Sequence, residues 1–138
     1  AFPIKSLANA MINLIKENTA KSKYGLASSI LLKSIIKNPN LIGGTNRFDS
    51  EIITISKGRI FCKGGAEGVL LFADLKKKIG GIIKINDGNE RAIPPIAIKV
   101  FKKLRLLNKN EIKNLQKWEE FAICNHSQKK IGKIVPYL

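Results

Sequence analysis

The chain has 138 residues and a mass of 15.3 kDa, room for one domain, and its 44% hydrophobic content suffices for a buried core. No apolar run nears the roughly 20 residues of a membrane span, no signal-peptide pattern opens the chain, and Cys62 and Cys124 lack ligand-like spacing, which points to a reduced, cytoplasmic protein without a membrane partner. A net charge of +15 invites a phosphate-rich partner, but 21 Lys against 4 Arg, scattered with 7% aromatics, lacks the bidentate arginines and stacking rings of a nucleic-acid surface.

Leu7, Met11, Leu14 and Ile15 recur at helical spacing, predicting a helix over Ser6–Glu17 with Ser6 as its N-cap. Thr19–Tyr24 is polar and connecting. A second helix carries Leu26, Ile30, Leu32, Ile35 and Ile36 on one side and ends near Asn38, ahead of Pro39. Leu41–Asn46 reads as a loop, after which Asp49 or Ser50 caps a short helix over Glu51–Ser56.

From Arg59 the period changes. Arg59–Lys63 and Val69–Leu75 are apolar runs around a Gly64–Gly68 connection, a hairpin with a bulged turn. Gly80–Asn86 is a third strand, closed by the Asp87-Gly88 turn. Pro94-Pro95 opens a helix running to about Leu107, and Asn110 starts another that carries Ile112, Leu115 and Trp118, with Trp118 in the core. Ile131–Val135 is a last strand. The pattern is α+β, an antiparallel sheet flanked by helices.

Few residues can carry chemistry. The 22 Ile and 12 Asn share A/T-rich codons with the lysines, so one base-composition bias accounts for all three excesses and most lysines are solvated faces. Lys63 stands apart, because it ends a strand and Gly64 and Gly65 follow it without side chains, leaving backbone N–H groups open beside a cation. Glu67, between Ala66 and Gly68, reads as a turn carboxylate bonded to its own amides or paired with Lys63 or Arg59. Arg47 and Asp49 lie two apart at the mouth of a helix, either as cap and ion pair or as a pair gripping a zwitterionic substrate. Arg91 reads as an ion-pair partner of Asp87 or Glu90. His126 is the single histidine, so neither a Ser-His-Asp arrangement nor a histidine metal cluster can be built.

Taken together, Asn38–Ile52 (NPNLIGGTNRFDSEI), Lys63–Val69 (KGGAEGV) and Gly80–Ala92 (GGIIKINDGNERA) resemble the C-terminal half of the bacterial L-asparaginase II family, the rhizobial-type amidohydrolases. The resemblance implies the fold of penicillin-binding proteins and serine β-lactamases, with Lys63-Gly64-Gly65 matching their Lys-Thr-Gly strand. Lys63 would then act beside a nucleophilic serine, with Arg47, Asp49, Gly64, Gly65 and Glu67 at the substrate end of the site. Gly64 departs from the threonine of that pattern, and rhizobial members carry cysteine where Asp49 stands.

The serine, and the Cys/Lys set for a zinc ion in the full-length parent, would belong to a half preceding Ala1; no cofactor is expected in this chain. Residues 1–138 are thus expected to be a single unit, the C-terminal half of a larger catalytic domain. Its partners would be L-asparagine, the N-terminal half of the same polypeptide and a second copy in a homodimer, with no nucleic acid and no membrane. The alternative is a non-catalytic, Lys-rich binding or scaffolding module.

Overall fold

Pro3 fixes the entry of the first helix, since its carbonyl accepts from the Ser6 N–H at 2.9 Å. The computed structural model describes residues 2–16 and 22–137, and α1 spans Ile4–Lys16. Ser6 therefore lies inside the helix instead of capping it, and Glu17 and Thr19–Lys21 of the expected boundaries lie outside the described residues. The α2 helix spans Gly25–Lys37 and stops at Asn38 as Pro39 requires. Its buried stripe is Ser28, Leu32 and Ile35, one helical face at i, i+4 and i+7. Leu26 at 74% exposure, Ile30 at 56% and Ile36 at 42% correct the expectation that all five apolar residues share that face. A one-turn α3, Asn40–Gly43, replaces the expected loop, and α4 follows over Phe48–Ile55.

Three strands come next: β1 Ile60–Gly65, β2 Val69–Asp74 and β3 Ile79–Lys84, hydrogen-bonded in the order β1-β2-β3. Parallel neighbours would need a crossover of a dozen or more residues. These links span only residues 66–68 and 75–78, so the sheet is antiparallel. The chain divides into two compact units, Ala1–Gly65 with Leu70–Ile82, and Ala66–Val69 with Ile83–Leu138. In the first, Met11 and Ile15 of α1, Ile35 of α2, Ile53 of α4, Phe61 of β1 and Ala73 of β2 form one buried cluster. This is a helix layer on a sheet face, α+β as expected.

An ion pair with one fully buried partner joins the residue before β1 to the end of β2. The Arg59 guanidinium donates to Asp74, whose side chain is fully buried and whose other oxygen accepts from the Lys76 and Lys77 N–H groups at 2.9 and 2.7 Å. Asp74 is thus both a turn cap and a counter-ion, a double use that its place among lysines conceals.

In the second unit, Glu67 (φ 63°) and Gly68 (φ 64°), in the three-residue link between β1 and β2, both take left-handed dihedrals. A Cβ at Gly68 would lie 2.9 Å from that of Ile85 and 3.0 Å from the Gly88 carbonyl carbon. Gly68→Ala therefore meets both φ strain and a backbone clash. A loss of about 2 kcal/mol is expected in chemical denaturation, and a neutral result would show that the turn can rebuild itself.

After a 3₁₀ turn at Glu90–Ala92, α5 spans Ile93–Lys103 with its prolines in the first turn. The α6 helix spans Lys109–Asn114 and starts one residue before the expected Asn110. Asn108 and Glu111 form a reciprocal capping box, with Asn108 Oδ1 accepting from the Glu111 N–H at 2.9 Å and Glu111 Oε2 from the Asn108 N–H at 2.8 Å. Leu115, fully buried, takes the core position. Trp118 then falls in a 3₁₀ turn, Gln116–Trp118, half-buried on the wall of an open cleft with Pro94 and Pro95, a correction to its expected burial.

The chain ends in a hairpin, β4 Phe121–Cys124 against β5 Lys130–Ile134, with an irregularity between Ile123 and Cys124. The sequence reading anticipated β5 and missed β4. Glu120 bridges Lys130 and Lys133 at 3.0 and 2.9 Å, and hydrogen bonds from Lys133 and Lys130 hold its carboxyl below the usual glutamate range. Among the described residues, no helix is long and apolar enough to cross a membrane.

Candidate functional site

The turn between α4 and β1 sets the site. Ser56 ends α4, and its hydroxyl oxygen accepts from the Ile60 N–H at 3.0 Å, bolting the helix end to the strand start. Eight helical residues rise about 12 Å and the four steps from Ile60 to Gly64 cover about 13 Å, so a chain that turns back at Ser56 brings the two far ends level. Those far ends are Asp49 and Gly64. Asp49 Oδ2 accepts from the Gly64 N–H at 3.1 Å, and the Cys62 thiol donates to the Asp49 carbonyl at 3.6 Å.

Asp49 lies in the first turn of α4, where a carboxylate suits the positive end of the helix dipole. The N-cap position belongs to Arg47, in extended backbone and without a side-chain cap bond, which corrects the expected cap at Asp49 or Ser50. Ser50 instead accepts from the Gly43 N–H at 3.2 Å, tying α3 to α4. Asp49 is 8% exposed, whereas Arg47 is exposed at the surface.

Along β1 burial alternates into exposure: Cys62 is fully buried, Lys63 is exposed, Gly64 is half-buried and Gly65 is exposed. The Lys63 ammonium curls back to donate to the Gly64 carbonyl. Burial pushes the Cys62 thiol well above its ordinary pKa, the Asp49 carboxylate adds to this and Lys63 opposes it. Cys62 is therefore a neutral donor, not a nucleophile.

Lys63, Gly64, Gly65, Arg47 and Asp49 all belong to the first unit. Glu67 belongs to the second, where its backbone carbonyl accepts from Lys84 Nζ at 2.7 Å. Arg59, one of the two partners expected for Glu67, pairs with Asp74. Arg91 pairs with Asp87 at 2.8 Å as expected, and His126 and Cys124 are exposed. Two participants escaped the sequence reading. Cys62 has no ligand-like spacing and Gly43 lies in a stretch that reads as a loop, so neither carries a signal in the sequence.

Among the described residues, no group of three or more His, Cys, Asp or Glu could hold a metal ion.

The family model for L-asparaginase II matches residues 1–136, almost the entire chain. The chain belongs to the L-asparaginase II family. No curated protein matches it closely enough to count as a relative. As a member of the L-asparaginase II family it is an asparaginase-like amidohydrolase, for which a small amide such as asparagine is the substrate class. Within this family member, the KGG strand end and the first turn of α4 are joined directly, by the Asp49–Gly64 hydrogen bond.

Proposed function

We propose that this chain forms part of the active-site wall of an enzyme that hydrolyses the side-chain amide of L-asparagine through a serine acyl-enzyme. The serine oxygen attacks the amide carbon, the C–N bond breaks as the serine proton passes to the leaving nitrogen and ammonia departs, and water then cleaves the ester to release aspartate and restore the hydroxyl. The observation that carries this reading is the exposed Lys63 at the anchored end of β1, inside a chain matched over residues 1–136 by the family.

Lys63 supplies the positive charge in this scheme. Near the serine it favours the deprotonated nucleophile and the anionic tetrahedral intermediate, while Gly64 and Gly65 leave room for substrate and Arg47 faces the substrate carboxylate. Ser50 and Ser56, inside and at the end of α4, are buried and committed to the backbone bonds described above, so they do not serve as the nucleophile. In this reading the nucleophilic serine lies in polypeptide preceding Ala1, within a fold like that of the serine β-lactamases, as the family resemblance implies. Release of ammonia from L-asparagine by the full-length protein tests the proposal. A pure, folded full-length protein that releases none would leave the scaffolding alternative standing.

A further inference from the structure

The carboxylate of Asp49 is buried, and a buried charge is costly unless it is used. Its use is visible. Oδ2 takes the Gly64 N–H at 3.1 Å, a charge-assisted bond to the residue that follows Lys63. Its main-chain carbonyl takes the thiol of Cys62, the residue that precedes Lys63, at 3.6 Å. The two grips bracket Lys63 along the strand. The carboxylate rests in turn on Gly43, where an added Cβ would sit 1.9 Å from Oδ1 and 2.5 Å from Cγ. The last residue of α3 thus lacks a side chain where the Asp49 carboxylate needs the space.

Resting on the asparaginase reading above, we propose that Asp49 is a positioning residue: its carboxylate fixes the Gly64 amide, and so the point at which β1 releases Lys63 toward the reacting atoms, while substrate is bound by other groups. A carboxylate that gripped the substrate ammonium would have to present its oxygens outward. This one is turned onto a backbone amide and a glycine.

Four variants of the full-length enzyme test the assignment, Asp49→Asn, Asp49→Ala, Gly43→Ala and the double Gly43→Ala/Asp49→Ala. They are read by kcat and KM for asparagine and by hydrogen exchange of the Gly64 amide. Asn keeps an acceptor for Gly64 and should retain kcat within about threefold, with exchange near wild type. Ala removes the acceptor. It should lower kcat by about tenfold or more with KM nearly constant, since a small misplacement of a catalytic group is costly, and should speed Gly64 exchange about tenfold. Gly43→Ala displaces the carboxylate and should copy Asp49→Ala, yet add little in its background, because both changes break one bond.

Should Asn and Ala both raise KM about tenfold while kcat and Gly64 exchange stay unchanged, Asp49 would be a substrate ligand and the proposal would fall. If Asp49→Ala does not fold, Asn and Gly43→Ala still separate the two roles. If wild type does not hydrolyse asparagine, the exchange pattern alone still decides the tether, and the loss belongs to the functional reading.

Discussion

Lys63→Met should lower kcat for asparagine about 10²-fold or more while leaving the melting temperature almost unmoved. Methionine keeps the length of the aliphatic stem and removes the charge and the donors. The side chain is exposed and its one described bond runs to the adjoining Gly64 carbonyl, so little stability is at stake. A preorganised cation at the point where negative charge develops is worth a few kcal/mol of barrier, which is the source of the expected rate loss. KM should change less, because the charge acts most strongly on the transition state. Activity within about threefold of wild type would make Lys63 an ordinary surface lysine and remove the main support of the proposed mechanism.

The opposite profile is expected at Asp74. Replacing it with Ala withdraws the counter-ion from Arg59 and the acceptor from two backbone N–H groups, all around a fully buried position. Breaking a buried pair from one side costs about 3–5 kcal/mol, a large share of the roughly 5–15 kcal/mol that holds a typical domain together. The urea midpoint should fall accordingly. Asp74→Asn, which keeps an acceptor for the two amides, should lose less than Ala. A loss below about 1 kcal/mol for Ala would mean that the turn after β2 finds other acceptors.

These two residues show what the sequence made legible. Lys63 could be singled out because two glycines follow a strand-like run, and the element order and the hairpin at Gly64–Gly68 came from local pattern in the same way. Asp74 could not, since its importance depends on Arg59, fifteen positions earlier and brought alongside by strand pairing. The errors on α2 have a similar cause. A helix with apolar residues on several sides carries too little periodicity to say which face is buried, and only packing with residues of α1, α4 and the sheet selects Ile35. At Trp118 the helical period continued in the sequence after the backbone had tightened into a 3₁₀ turn.

Within the candidate site, Arg47 and Asp49 lie two apart in sequence but meet different surroundings. Neighbouring positions in a first helical turn point in different directions, so Arg47 is left exposed while Asp49 turns inward to Gly64. The role of Gly43 was invisible because a missing side chain leaves no mark until its neighbour is known.

The thiol donated to the Asp49 carbonyl has a practical consequence. Alkylating reagents attack thiolates that they can reach, so a maleimide added to the folded protein should modify the exposed Cys124 quickly and Cys62 hardly at all. Cys62 becomes reactive only when β1 parts from α4, the same rupture that would free Gly64 and loosen Lys63. The slow second labelling event is therefore a clock for opening of the candidate site, readable by mass spectrometry without an added probe.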